Sequence, residues 1–243
     1  MTPAIDVHTH TVASGHAFST VQEMARAAAE KGLQWLGITD HAPSVPGAGH
    51  PGHFRNIRVV PHRLYGVNLL FGVELNILDT DGTLDFLPEY MSWLDVRIAG
   101  IHRQCWKGGT RAENTDAVLK VMADSRVNII AHPCDGTAEL DLEPLVRASR
   151  DSGTLLEVNN SSLFPWRHKD CAPALNLELL RLCRQYDVPV ILGSDAHFSG
   201  SVADYTHALA LVSECSFPEE LIINSSPAAF FDFTGLPIPE GTM

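Results

Sequence analysis

The chain has 243 residues, 45% of them hydrophobic and 19% charged, and its formal net charge is −12 at pH 7. This length and composition are typical of one globular α/β domain, and we expect residues 1–243 to form a single domain. The acidic balance, with no basic run to offset it, argues against nucleic acid as the main partner. It does not exclude a small anionic substrate.

Two further absences bear on the cellular location. No apolar run approaches the length of a membrane span, and the N-terminus has no basic region followed by an apolar one. The five cysteines are scattered and form no Cys-x-x-Cys pair, so we expect reduced thiols. These features predict a cytoplasmic protein without a membrane partner and leave its oligomeric state open.

The first predicted strand, over residues 4–7, leads into two histidines. Alternation along an extended chain places Asp6, His8 and His10 on one face. Two residues apart on a strand, His8 and His10 would be separated by about 6.6 Å, and two such imidazoles can share a cation such as zinc. For this motif taken alone, a pair of solvent-facing histidines is the alternative.

Strand and helix patterns then alternate along the chain. A capping box at Thr20 and Glu23 begins the first helix, which ends at Gly32. The remaining strands are predicted over residues 35–39, 69–75, 96–101, 127–131, 154–158 and 188–193. The helices are predicted over residues 20–32, 88–94, 114–123, 141–153, 173–185, 203–214 and 227–232. Residues 42–55, rich in proline, glycine and histidine, predict a long loop without regular structure.

Seven strand-then-helix units in series predict a parallel sheet. Seven strands with no strong edge signal favour closure, so we predict an α/β fold of the (β/α)7 TIM-like barrel type. In such barrels the chemistry lies at the carboxyl ends of the strands. Nine potential metal ligands fall at those ends or in the first loop beyond them: His8, His10, His16, His41, Glu74, His102, His132, Asp195 and His197.

The number of ligands indicates a catalytic rather than a structural site. Three tetrahedral metals need about twelve ligand positions, so nine side chains leave some positions to a bridging carboxylate, water or substrate. A structural zinc site, which is the alternative, would be closed by four protein ligands. We therefore interpret the constellation as a catalytic metal centre with open positions.

These residues resemble the PHP domain (polymerase and histidinol phosphatase) family in its four motifs and along nearly the full chain. The motifs are residues 6–10 with His16, residues 39–41 with Glu74, His102 with residues 132–133, and residues 193–197. Within the family, the chain resembles the small single-domain bacterial PHP phosphatases, which hold three zinc ions in a distorted seven-stranded barrel.

The resemblance implies three divalent metal ions, with zinc as the first choice and manganese or iron as alternatives. It implies one ion held by His8, His10, Glu74 and Asp195, a second by Glu74, His102 and His132, and a third by His16, His41 and His197. We expect hydrolysis of phosphomonoesters, in which a water bridging the Glu74 pair loses a proton and attacks phosphorus in line. The third ion would bind phosphate oxygens.

Three residues outside the motif ligands are assigned to substrate binding or proton transfer. Arg58 and Arg167, each beyond a strand end, are candidate phosphate clamps, and solvated surface arginines are the alternative. Asp40 is assigned to catalysis beside Glu74 and Asp195, as a proton shuttle or as an orienter. An aspartate next to a ligand more often only hydrogen-bonds an imidazole or the backbone.

Three rival functions share parts of this pattern. A histidinol-phosphate phosphatase has the same motifs and differs in the substrate pocket outside the metals. An amidohydrolase on a similar barrel would typically use a bridging lysine, and no lysine ends a strand here. A non-catalytic PHP metal-binding module would usually lack one or more of the nine ligands, all of which are present.

Overall fold

The computed structural model describes residues 2–242. Within these residues the sheet contains eight strands: β1 (Ile5–Asp6), β2 (Trp35–Ile38), β3 (Arg63–Leu64), β4 (Val67–Asn76), β5 (Val96–Gly100), β6 (Ile129–Ile130), β7 (Leu155–Asn159) and β8 (Val190–Gly193). The α-helices are α1 (Val21–Glu30), α2 (Pro51–Asn56), α3 (Pro88–Met91), α4 (Arg111–Met122), α5 (Leu142–Ser152), α6 (Ala172–Tyr186), α7 (Thr206–Glu214) and α8 (Pro227–Thr234).

Seven of the strands run parallel, in the order β1-β2-β4-β5-β6-β7-β8. A parallel bridge between Thr9 and Ala196 joins the two ends of this order, and the His10 N–H donates to the Ala196 carbonyl oxygen at 2.9 Å. β3 pairs antiparallel with the start of β4, outside the ring. The predicted (β/α)7 TIM-like barrel is confirmed, with closure reduced to a bridge beyond β1 and β8.

The lower interior of the barrel is an apolar cluster that the last helix closes. Its residues in or next to the strands include Ile5, Val7, Leu70, Ile98, Ile129, Leu155 and Ile191. Phe230 and Phe231 of α8 belong to the same cluster, and Phe231 packs edge-on against Trp35 at the start of β2, with ring centroids 4.9 Å apart. Because α8 fills the amino-terminal end of the barrel, the carboxyl-terminal end remains for polar side chains.

The prediction of a loop over residues 42–55 was wrong in its last part, where α2 begins at Pro51. Proline suits the first turn of a helix, since its missing N–H would have no partner there. His50 precedes it as N-cap, and the Gly52 N–H donates to His50 Nδ1 at 3.1 Å. The proline that indicated a loop is thus the residue that starts the helix.

Three other elements differ from the prediction, each for a local reason. β3 was not predicted, because a strand of two residues shows no period. α4 begins at Arg111 rather than 114, because Thr110 and Glu113 form a capping box. α7 begins at Thr206 rather than 203, because Ala203 adopts a left-handed φ of 51° that a helix cannot contain.

Two expectations from composition can be compared with the structure. No helix within residues 2–242 is both long enough and apolar enough to cross a bilayer. The five cysteines all lie in the described part of the chain and form no disulfide there.

Removing the Phe230 ring should destabilise the barrel strongly, because this side chain is fully buried in the cluster that closes it. We expect Phe230→Ala to lower the free energy of unfolding by about 3–5 kcal/mol, measured by urea titration. Phe233→Ala, on the same helix but only partly buried, is the matched control and should cost clearly less. Equal losses would show that α8 does not close the barrel through Phe230.

Candidate metal centre

All nine predicted ligands lie together at the carboxyl-terminal end of the barrel. His8 and His10 follow β1, Glu74 lies within β4, and Asp195 and His197 follow β8. The loops after the other strands and after β1 provide His16, His41, His102 and His132. Asp6, which the alternation placed on the face of His8, is not one of the clustered donors. It accepts hydrogen bonds from the hydroxyl of Ser194 and the N–H of Ala203.

Glu74 lies at the centre of this cluster and is completely buried. Five imidazole nitrogens lie within 3.5 Å of its oxygens: His41 Nδ1 at 2.7 Å, His132 Nε2 at 2.9 Å, His102 Nε2 at 3.1 Å, His8 Nε2 at 3.3 Å and His10 Nε2 at 3.5 Å. One carboxylate therefore contacts imidazoles that come from four different loops of the barrel.

The three remaining contacts of the first predicted group are 3.1 to 3.6 Å long. His8 Nε2 lies 3.1 Å from His10 Nε2. Asp195 Oδ1 lies 3.2 Å from His10 Nε2 and 3.6 Å from His8 Nε2. Together with Glu74, these side chains point four donor atoms at one small volume.

The group formed by His16, His41 and His197 lies at the outer side of the cluster. His16 Nε2 and His197 Nε2 are 3.0 Å apart. The ring centroid of His41 lies 5.0 Å from that of His16 and 5.8 Å from that of His197. Because His41 also contacts Glu74, it connects His16 and His197 to the carboxylate.

Hydrogen bonding alone does not explain how these atoms face one another. His41 Nδ1 and Glu74 Oε2 are buried and 2.7 Å apart, yet neither has a hydrogen-bond partner among residues 2–242. Three overlapping sets of His and Glu donors have all their atoms within 4.8 Å. Imidazole nitrogen and carboxylate oxygen are donors that zinc and related divalent ions prefer. The residues present therefore fit a metal-binding cluster.

The electrostatics of the cluster favour the protonation states that metal ligands need at Glu74 and His10. Burial alone would raise the pKa of Glu74, but the charges of His102 and His8 hold it well below its usual range. Burial, together with the charge of nearby His197, holds the pKa of His10 well below that of a free imidazole. The carboxylate is therefore ionised and His10 is neutral, as metal binding requires. At His8 the effect is opposite: burial would lower its pKa, but the charges of Glu157 and Glu74 raise it well above that of a free imidazole.

Asp40 is buried beside the cluster rather than inside it. It accepts hydrogen bonds from the Thr11 N–H at 2.7 Å and from the Ser14 hydroxyl at 2.7 Å, and Ser14 Oγ lies 3.0 Å from His10 Nδ1. His53 Nε2 lies 3.2 Å from its second oxygen. Burial would raise the pKa of Asp40, but hydrogen bonds from His53 and Ser14 lower it to about 2. Asp40 is thus an anion that reaches His10 through Ser14.

A cavity of about 710 Å³ opens onto the cluster. The loops after β5, β6 and β7 form one wall of it, and that wall carries the cations Arg103, Arg167 and Lys169. Lys169 is ion-paired with Asp135, which lines the same wall. A small molecule bound at the cluster would therefore meet charged groups of both signs.

The two predicted phosphate clamps occupy different environments. Arg167 lines the cavity, donates from Nη2 to Ser161 Oγ at 2.8 Å, and places its Cζ 4.6 Å from the centroid of the Trp166 ring. Both arginines are exposed, but Arg58 lies on a short 3-10 turn and is not among the residues that line this cavity. The structure therefore places Arg167, but not Arg58, at the cavity that opens onto the cluster.

Glu157 is the main site residue that sequence reasoning missed. It is buried in β7, with Oε1 2.7 Å from His8 Nδ1, and its Oε2 accepts the His132 N–H at 2.8 Å. An acidic residue within an apolar strand was the available signal, and the same signal had identified Glu74.

Known proteins share both the sequence and the fold. A "Probable phosphatase" of Acetivibrio thermocellus is 41% identical over 231 residues, which are 94% of each chain. At 18% identity, histidinol phosphate phosphatase from Lactococcus lactis subsp. lactis Il1403, complexed with zinc, L-histidinol and phosphate, has a TM-score of 0.59 and covers 89% of this chain and 95% of its own. A chain of archaeal ribonuclease P with mature tRNA has a TM-score of 0.64 at 14% identity, covering 95% of this chain and 90% of its own, and likewise shares the fold.

The family match agrees with the positions of the ligands. The family model described as "PHP domain" matches residues 6–161, which include seven of the nine clustered side chains: His8, His10, His16, His41, Glu74, His102 and His132. The match covers more than half of the chain, and the Acetivibrio protein extends the similarity over nearly all of it. The chain belongs to the PHP domain family.

Proposed function

We propose that this chain is a metal-dependent phosphatase that hydrolyses phosphomonoesters at the cluster around Glu74. The observation that carries the proposal is one buried carboxylate with five imidazole nitrogens within 3.5 Å. These side chains are too few to fill every coordination position of several metal ions, so positions would remain open for water and substrate. The name of the Acetivibrio relative and the phosphate bound in the Lactococcus structure support the same reaction.

The nine ligands would hold three divalent ions that share Glu74. The proposed sets are His8, His10, Glu74 and Asp195 for the first, Glu74, His102 and His132 for the second, and His16, His41 and His197 for the third. Zinc is our first choice, because the Lactococcus structure contains zinc, and manganese or iron suit the same donors. The contacts of Glu74 with His8, His10, His102 and His132 support its place between the first two sets.

Divalent ions in this cluster would supply a water of lowered pKa and an electrostatic clamp for phosphoryl oxygens. Glu74 and Asp195 remain ionised to hold them, because neighbouring histidines keep the pKa of each carboxyl well below its usual range despite burial. Three divalent ions against these two carboxylates leave a local charge of about +4. A phosphate dianion would be attracted to this end of an otherwise acidic protein.

Arg167 is the residue we propose for binding the phosphate beside the metals. Its hydrogen bond to Ser161 and its stacking on Trp166 hold the guanidinium at the cavity wall, so little side-chain freedom is lost on binding. Asp40 would orient His10 through Ser14 rather than carry protons to the substrate, because it is not among the residues that line the cavity.

The cavity has room for a leaving group larger than water, since about 710 Å³ lies within the range of small-molecule sites. Histidinol phosphate is the nearest rival to a general phosphomonoester substrate, and a fold likeness at 18% identity does not decide between them. The net charge of −12 opposes the binding of a nucleic-acid backbone, and we propose a small phosphorylated metabolite as the substrate instead.

We also propose that residues 1–243 form one domain that works in the cytoplasm. Asp195, His197 and β8 lie beyond the segment that the family model matches, yet they complete the cluster and the sheet, which supports a single unit. The scattered cysteines support a reducing compartment.

Metal-replete protein should hydrolyse phosphomonoesters much faster than diesters, because the cluster best compensates a doubly charged phosphate. A panel of phosphorylated metabolites, histidinol phosphate included, measures this by phosphate release. Inorganic phosphate should inhibit competitively. Faster cleavage of diesters, or no phosphate release from any ester, would count against the proposal.

Elemental analysis should give about three metals per chain, and two variants should lose them differently. Glu74→Gln weakens a ligand shared by two ions, so about one metal should remain and activity should be nearly abolished. His197→Ala should retain about two metals and some turnover of activated aryl phosphates. Equal metal loss in two folded variants would contradict the proposed sets.

Replacing Arg167 should weaken substrate binding, because a charged hydrogen-bond donor at the cavity is lost. We expect Arg167→Ala to lower kcat/KM roughly 10- to 100-fold, which corresponds to about 1.5–3 kcal/mol for a bond to a charged group. Arg58→Ala is the control and should change kcat/KM less than about twofold. A larger loss of kcat/KM in Arg58→Ala than in Arg167→Ala would contradict the proposed position of the phosphate.

A further inference from the structure

We infer that Glu157 is a positioning residue that fixes the orientation and the tautomer of His8. Glu157 is 1% exposed and is not one of the nine ligands. The His8 ring separates it from the cluster: Nδ1 lies 2.7 Å from Glu157 Oε1, while Nε2 lies 3.3 Å from Glu74 Oε1 and 3.6 Å from Asp195 Oδ1. One edge of the ring therefore faces a carboxylate behind it, and the other edge faces the metal-binding atoms.

The chemistry of the two groups decides where the His8 proton lies. An ionised carboxylate only accepts hydrogen bonds, and an imidazole that ligates a metal is neutral, so it donates from one nitrogen and offers a lone pair on the other. Glu157 therefore keeps the proton on Nδ1 and leaves the Nε2 lone pair directed at the cluster. Carboxylates placed behind a ligating histidine in this way fix the ring and increase the basicity of the ligating nitrogen.

The second oxygen of Glu157 extends its influence to another ligand. Oε2 accepts the His132 N–H at 2.8 Å and the Asn159 side-chain N–H at 3.0 Å. His132 has a φ of 34°, in the left-handed region that a residue with a Cβ rarely occupies. A hydrogen bond to its N–H stabilises that backbone, so Glu157 positions ligands of two of the proposed ions.

The neighbouring strand provides the space that this carboxylate needs. A Cβ placed on Gly193 of β8 would lie 1.6 Å from Glu157 Oε1 and 2.6 Å from its carboxyl carbon. Any larger residue at 193 would displace the carboxylate from His8. The close approach of the Glu157 carboxylate to Gly193 indicates that the position of the carboxylate is specified, not incidental.

An amide at position 157 cannot reproduce these contacts. Three donors converge on the carboxylate: His8 Nδ1–H, the His132 N–H and the Asn159 amide. Glutamine has one acceptor oxygen, so its NH₂ group would face either the two donors on one side or His8 on the other. In the second arrangement His8 must accept at Nδ1, and its proton moves to Nε2, where a ligand atom is needed.

The test is zinc affinity of Glu157→Gln against Asp95→Asn, measured on purified protein by competition with a fluorescent chelator. Asp95 also accepts a backbone N–H, from Phe71 at 2.7 Å, and lies 3.1 Å from His62 Nε2, but at the opposite end of the barrel. We expect Glu157→Gln to bind the zinc ion that His8 holds about 10- to 100-fold less tightly than wild type. The zinc affinity of Asp95→Asn should stay within about twofold of wild type. Unchanged affinity in Glu157→Gln, or equal losses in both variants, would overturn the inference.

A measurement on the unaltered protein covers the case in which Glu157→Gln does not fold. Long-range ¹H–¹⁵N NMR spectra of the zinc-loaded protein should show the His8 proton on Nδ1, a signature that a merely structural role for Glu157 would not require. A His8 ring without a proton on Nδ1 would refute the assignment. We rest this inference on the proposed metal sets, but both readouts are independent of turnover, so they can fail while phosphatase activity is present, and the reverse.

Discussion

Glu74 is completely buried, and a buried carboxylate is tolerated only where donors or cations surround it. Here the partners are five imidazoles, and no single strand or helix could deliver them to one point. The barrel brings the five imidazoles together because its parallel strands all end at the same side of the barrel. Each histidine needs only to follow a strand, so the fold and the cluster depend on each other through this one side chain.

The strands divide the barrel interior into an apolar lower part and a polar upper part by simple alternation. Along β5, Ile98 points into the apolar cluster, Gly100 follows two residues later, and His102 comes two residues after that. A Cβ at Gly100 would lie 2.7 Å from His132 Cε1. Glycine at the level between the two parts leaves room for ligand side chains that reach across the barrel. The same order occurs along β8, where Gly193 separates Ile191 from Asp195.

The clustering of these side chains could be predicted from sequence because most of them lie at or just beyond the end of an apolar run, a signal confined to a few neighbouring residues. The barrel could be predicted because seven such runs alternate with helical patterns. The contact between His8 and Glu157 could not, because it joins residues 149 positions apart and leaves no local period. The helix α2 was missed for the opposite reason, since the signal at Pro51 was local but fits both a loop and a helix start.

The buried anions behind the ligands also affect what the cluster can bind. His8 is backed by Glu157, and His10 is backed by Asp40 through Ser14. With the three divalent ions that we propose, counting these two carboxylates with Glu74 and Asp195 would lower the charge of the cluster from about +4 to about +2. A phosphomonoester dianion neutralises a charge of this size, whereas a diester carries only one negative charge and would leave part of it uncompensated. The carboxylates that orient the histidines would thereby also match the cluster to the charge of its substrate.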